Sequence, residues 1–316
     1  MRRPLLRALP ERAVVSGGEP LVELLQALKS AGYRFVTVTP ATHARVLARP
    51  PGETPGLRDI FGWNRTFDPA DLDPGLLALL RSAGALESVD GKLRSRVRVA
   101  SLSDDLILHG AFPTDSADAV FFGPDSYRFA RFIREWLPRL GTKGWLVDMG
   151  SGAGAGAMAA ARCTALNRIT LVDVNSAALR LARINASAAG LNVETMESAR
   201  IPDGADLIIA NPPYMMDSAA RAYRDGGGLL GGAVAIDWVR QAIGALAPGG
   251  AMLLYTGAAY AGGKAPLLDA LASACAEAGT SLELEEIDPD VFGDELGRPP
   301  YAEVERIAAV GAVITL

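Results

Sequence analysis

Apolar positions change their spacing about a third of the way along the chain. Leu21, Leu24, Leu25 and Leu28 fall at i, i+3, i+4 and i+7, which predicts a helix closed near Gly32. Phe35-Val36-Thr37-Val38 reads as a short strand, the Pro- and Gly-rich stretch from Arg49 to Gly56 as a loop, and Leu76, Leu77, Leu79 and Leu80 as a second helical face. Leu86 to Val89 and Leu93 to Ala100 flank Asp90-Gly91, a dipeptide that favours a tight hairpin. From Trp136 on, strand-like runs at 145–149, 169–174, 206–210, 251–256, 282–287 and 304–315 alternate with helical stretches, the pattern of a parallel sheet covered by helices. Asn175 is placed to cap a helix running to Gly190, and a helix is expected over 234–246. Only an irregular loop, Asp288 to Pro300, joins the last two strands, so they should be antiparallel.

The N-terminal helices and hairpin suggest a small α+β unit resembling a winged helix. Arg94, Arg96 and Arg98 alternate along its second hairpin strand and should share a face, either a solvated one or one that meets phosphates. Charge does little to choose between these. The net charge is −5; residues 1–125 carry 15 basic and 15 acidic side chains, and residues 126–316 carry 16 and 21, so neither half is strongly basic. With 49% hydrophobic and 21% charged residues the chain can bury an ample core. Apolar runs are too short to span a bilayer, and Arg2, Arg3, Arg7 and Arg12 interrupt any secretory leader, so a cytoplasmic address without membrane partners is expected. His43, His109, Cys163 and Cys275 are the only histidines and cysteines, in no ligand-like spacing, and no metal is expected.

Candidate chemistry sits at strand ends. Trp145-Leu146-Val147-Asp148-Met149 runs into glycines at 150, 152, 154 and 156, a turn that lets backbone approach a ligand closely. Asp173 ends the next strand 25 residues after Asp148, where a carboxylate can take both ribose hydroxyls of an adenosine cofactor. These features would serve a nicotinamide cofactor too. Asp148, an acid beside the glycines, suits a cationic amino-acid-bearing cofactor and would repel a pyrophosphate. Asn211-Pro212-Pro213-Tyr214 follows the apolar run Leu207-Ile208-Ile209-Ala210. Its prolines lack N–H and hold φ, leaving carbonyls free to accept; the Asn oxygen adds an acceptor and the Tyr ring a flat face. That combination fits a planar amino group.

Four segments resemble the class I S-adenosylmethionine-dependent methyltransferases, and within them the Asn-Pro-Pro-Tyr branch of release-factor glutamine methyltransferases and N6-adenine and N2-guanine methyltransferases. They are Val147 to Gly154, Leu171-Val172-Asp173, Ile208 to Tyr214, and Phe122-Gly123-Pro124-Asp125-Ser126-Tyr127. The resemblance covers about residues 120–316. It implies a Rossmann-like α/β sheet, mostly parallel with the last strand antiparallel, as a methyltransferase domain over 121–316, and leaves 1–120 as a substrate-recognition domain. It further implies S-adenosyl-L-methionine held by Asp125, Ser126, Asp148, Gly150, Gly152, Gly154, Asp173 and Asn211, with Asn211, Pro212 and Tyr214 catalytic. The methyl acceptor would be a macromolecule: a protein such as a release factor, or rRNA or tRNA. Ser198-Ala199 stand where relatives usually carry a Gly-Asp that meets the adenine, with Glu197 as the available stand-in. Arg224 to Leu229 echoes the glutamine branch, or is a flexible glycine loop. Two other readings stay open, a nicotinamide-dependent oxidoreductase and a noncatalytic RNA-binding or assembly protein that retains the cofactor fold. The lack of an obvious catalytic His and the presence of Asn-Pro-Pro-Tyr count against the first, and the intact acceptor motif against the second.

Overall fold

A computed structural model describes residues 19–316 except 51, 53, 114–117, 142–143 and 218–222. The arginine-rich start that argued against a leader lies outside the described residues. The N-terminal unit comprises α1 (Pro20–Ser30), α2 (Pro40–Leu47), α3 (Pro74–Ser82) and two hairpins, β1 (Leu86–Val89) with β2 (Lys92–Ser95), and β3 (Val97–Leu102) with β4 (Asp105–Gly110). Leu21, Leu24, Leu25 and Leu28 of α1 are all buried, against Leu76, Leu77 and Leu80 of α3 among others.

Next come α4 (Pro124–Trp136), β5 (Trp145–Met149), α5 (Ala155–Ala161), β6 (Arg168–Asp173), α6 (Ser176–Ala188), β7 (Glu194–Glu197) and β8 (Ala205–Ala210). The chain ends with α7 (Ala233–Ala245), β9 (Leu246–Tyr260), α8 (Pro266–Ala278), β10 (Ser281–Asp288) and β11 (Arg306–Thr315). Seven strands form one sheet in the order β10-β11-β9-β8-β5-β6-β7. All neighbours are parallel except those of β11, which runs against both β9 and β10. The expected Rossmann-like sheet with a reversed last strand is therefore present. β5 and β8, at the sheet centre, read as continuous apolar runs because both faces are covered. β7 escaped the sequence reading because its four residues are all exposed and carry no apolar period.

Three N-terminal expectations are corrected. Phe35 to Val38 is extended but not a strand: Phe35 donates to the Ser101 hydroxyl and only its carbonyl meets a backbone N–H, that of Ser101, so no ladder develops. The long strand from Leu93 to Ala100 breaks at Arg96, where the buried Ser95 hydroxyl bonds Val97 on both its N–H and its carbonyl and turns the chain into β3. The arginines consequently do not share a face. Arg94 pairs across the hairpin with Glu87 at 2.6 Å, while Arg98 is 4% exposed and donates from Nε to the Gly110 carbonyl. That leaves Arg96 alone exposed, and the three-arginine phosphate wing is withdrawn.

The β3–β4 hairpin joins the two parts through its two faces. Val97, Val99, Leu106 and Leu108 belong to the N-terminal core, whereas Ala100, Leu102 and Ile107 pack with Phe122, Phe129 and Ile133 in the core on one side of the sheet. Asn185 of α6, fully buried, accepts from Leu108 N–H and donates to the carbonyls of Leu108 and Ala153. A fragment starting at residue 121 would strip this amide of two of its three bonds and uncover the apolar face beside it. We expect that fragment to aggregate on expression, whereas the full chain elutes as a folded species in size-exclusion chromatography.

Candidate active site

The parallel strands β5, β6 and β8 end on one side of the sheet, and a cavity of about 330 Å³ opens there. Ligands bind at this edge in open α/β sheets, where the strand order reverses direction. Asp125, Ser126, Asp148, Gly150, Gly152, Asp173, Asn211, Pro212 and Tyr214 all line it. Gly154 does not. It adopts φ +79°, and a Cβ there would sit 3.2 Å from that of Ala182, so it serves the packing of the loop on α6.

The glycine turn is pinned by its neighbours. Gly150 and Ser151 both donate to the Val172 carbonyl, and Gly150, at φ +66°, leaves room for Trp238 of α7, which a Cβ would approach to 2.5 Å. Asp173 accepts from Gly152 N–H and Asn175 N–H, each at 2.9 Å, so the acid at the end of β6 also holds the turn in shape. Burial raises its pKa. Asn175 caps α6 by accepting from Ala177 and Ala178. Asp148 is 2% exposed and accepts one bond, from Ala157 N–H. Burial pushes its pKa up to about 7, with the nearby Asp173 adding to the rise and the Ala157 N–H opposing it. The Ser151 hydroxyl, also buried on the cavity wall, has no partner among the described residues.

Asp125 enters from the first turn of α4. Its Oδ1 accepts from Tyr255 hydroxyl at 2.9 Å and from Arg128 at 3.2 Å, and the Tyr214 hydroxyl faces the same carboxyl, whose pKa burial raises. Ser126 turns back to accept from Gly123 N–H at the helix start. Tyr214 is buried edge-to-face against Tyr255 and Phe292, with its ring lying over Gly257. Asn211 is half-buried, and its carboxamide bonds to no other described residue.

The loop after the acceptor motif is not a loose glycine run. Met215 N–H donates to Arg224 O, and Gly226 N–H returns a bond to Met215 O. A Cβ at Gly226 would fall 1.8 Å from the Gly231 carbonyl oxygen, and one at Gly231 would fall 2.2 Å from that of Tyr214. These glycines let two backbone segments touch beside the carbonyls of Pro213 and Tyr214. The segment before β11 closes the same wall: Arg224 meets Glu295 at 2.6 Å, and Met216 N–H donates to Tyr301 hydroxyl.

Several lining residues were not singled out by sequence. Val174, an apolar side chain 55% exposed beside Asp173, was legible in principle as an unpaired hydrophobe at a strand end. Phe121, Tyr223, Trp238 and Phe292 arrive from four separate segments, and nothing local marks them. Ser198 and Ala199 reach the cavity; Glu197 is exposed on β7 and does not line it.

Comparison with known proteins agrees with this geometry. Residues 129–277 match the family described as Methyltransferase small domain. The release factor glutamine methyltransferase of Deinococcus radiodurans is 32% identical over 186 residues, 54% of this chain and 66% of its own. The ribosomal RNA small subunit methyltransferase C of Pseudomonas paraeruginosa is 33% identical over 156 residues, 48% of this chain and 40% of its own. The chain thus spans just under two thirds of the first relative's length and well under half of the second's. Among solved structures, the T. thermophilus 16S rRNA N2 G1207 methyltransferase is 18% identical, covering 78% of this chain and 63% of its own with a TM-score of 0.44. Sheet order and glycine turn define a Rossmann-like α/β fold, and the match over 129–277 relates the chain to class I S-adenosylmethionine-dependent methyltransferases. More narrowly, the chain is related to the release-factor and ribosomal-RNA methyltransferases.

Proposed function

We propose that this chain is an S-adenosylmethionine-dependent N-methyltransferase acting on a planar sp² nitrogen of a macromolecule. The observation that carries the reading is the carboxamide of Asn211, unengaged by the described residues, facing the cavity that also holds Asp148, Asp173 and the glycine turn. The residues present fit the cofactor. Asp173 is placed for ribose hydroxyls, Asp148 and Asp125 are buried acids suited to a cationic methionine end, and the orphaned Ser151 hydroxyl lacks only a partner. When bound, S-adenosylmethionine supplies an electrophilic methyl group on a positively charged sulfur.

Asn211 Oδ1 and the Pro212 carbonyl accept the two N–H bonds of the acceptor, which orients its nitrogen and favours the positive charge that develops on it. Tyr214, wedged between Tyr255 and Phe292, supplies a rigid aromatic wall. Placement of this kind contributes up to about 7–11 kcal/mol to a two-partner reaction. The methylated nitrogen carries an acidic proton that leaves to water, so no dedicated base is needed. The N-terminal unit, docked through the β3–β4 hairpin, recognises the acceptor. Incubation with methyl-labelled S-adenosylmethionine and fractionated cell extract tests the reading: label is expected on nitrogen after hydrolysis, and recovery on carbon or oxygen would sink it.

A pH dependence follows from Asp148. Its pKa lies near 7 without ligand, far above the unfolded value of about 4. The native state therefore keeps a proton that the unfolded chain releases, and this group's contribution lowers stability as pH rises from about 4 to about 7. A cationic cofactor prefers the carboxylate. We expect its affinity to rise between pH 6 and 8 with proton release on binding, measured by calorimetry in two buffers of different ionisation enthalpy, and Asp148→Asn to flatten the profile.

A further inference from the structure

We infer that Tyr301, which lies behind the cavity wall and does not line it, is a positioning residue for methyl transfer: its buried hydroxyl anchors the chain just past Tyr214 and so holds the acceptor motif in place. The inference rests on the N-methyl-transfer reading above and adds a residue to that site. The motif can do little to fix itself. Pro212 and Pro213 carry no N–H, and among the described residues the first backbone N–H past Asn211 to find an acceptor is that of Met215, which donates to the Arg224 carbonyl. The next, that of Met216, donates to the Tyr301 hydroxyl at 2.6 Å.

Tyr301 is 1% exposed and packs in the apolar core on one side of the sheet, where a phenylalanine would fill the space with no polar atom to satisfy. The hydroxyl is matched instead by the Met216 N–H, and it turns its own proton toward Met215 Sδ, 3.9 Å away. Its ring is rigidly carried. Pro299 and Pro300 precede it, Tyr301 N–H donates to the Arg298 carbonyl, and its carbonyl accepts from Val304 N–H. Two more contacts leave the same short segment for the same wall: Phe292, at φ +60°, sets its ring edge-to-face against Tyr214, and Glu295 meets Arg224. The bonds of Asp148, Asp173 and Gly150 run elsewhere, to Ala157, Asn175 and Val172 among others. The segment therefore bears on the acceptor face and not on the cofactor's.

The full-length parent and Tyr301→Phe, which keeps the ring in the core, are compared in two measurements. One is S-adenosylhomocysteine affinity by calorimetry; the other is single-turnover transfer of labelled methyl from S-adenosylmethionine to a saturating amount of the cell-extract fraction that the parent labels on nitrogen. The transfer rate is expected to fall by roughly 10- to 100-fold, the consequence of a displacement of up to about 1 Å at the reacting atoms, while the dissociation constant changes by less than about twofold. In an Asn211→Ala background the same substitution should cost far less, because the face it positions no longer holds the acceptor. An unchanged rate overturns the inference, as does a rate loss matched by an equal loss of S-adenosylhomocysteine affinity, or one as large without the Asn211 side chain as with it; each leaves N-methyl transfer standing. A parent that labels nitrogen in no fraction overturns the N-methyl-transfer reading, and the role of Tyr301 with it.

Discussion

Asn211→Ala is expected to slow single-turnover methyl transfer by at least ~100-fold, the usual consequence of deleting one preorganised polar contact to a developing charge. Affinity for S-adenosylhomocysteine should stay close to that of the parent, because the carboxamide supports no other described residue and its loss leaves the glycine turn and Asp173 as they are. Asn211→Asp adds a discriminating case. It retains the accepting oxygen that the proposed geometry uses, but brings a charge that would favour a protonated, non-nucleophilic acceptor, so it should not rescue the rate. If Asn211→Ala transfers methyl as fast as the parent in rapid quench, the acceptor is held elsewhere and the mechanism fails.

Asp173→Ala should weaken the cofactor by roughly 10- to 150-fold, since charge-assisted hydrogen bonds contribute about 1.5–3 kcal/mol. Part of that loss is indirect. The same carboxylate accepts from Gly152 N–H and Asn175 N–H, so its removal leaves one donor unpaired in the glycine turn and another at the start of α6. A fall in thermal midpoint without ligand should therefore accompany the loss of affinity. Asp173→Asn, which offers one acceptor oxygen, should lie between parent and alanine in both measurements. An alanine variant that binds S-adenosylhomocysteine as tightly as the parent would remove Asp173 from the cofactor site.

The sequence by itself determined most of the sheet, because buried parallel strands read as largely apolar runs and most connections between them are helices. The buried runs β5 and β8 and the long reversed strand β11 were placed to within a residue or two, whereas β7, exposed throughout, left no apolar trace. It also marked the ends of those strands as the site, since an acid, a glycine turn or a proline pair is there for reasons that operate within a few residues. Contacts between distant segments decided the rest. Whether Arg98 met solvent or a buried carbonyl depended on β4, which pairs with β3 only after the chain turns at Ser95. Whether the run from Gly226 was loose or packed depended on carbonyls of the acceptor motif arriving within contact distance. The cavity's aromatic wall, gathered from Phe121, Tyr214, Tyr223 and Phe292, has no period at all, because the spacing of residues along the chain carries information only about the element they share, and these share none.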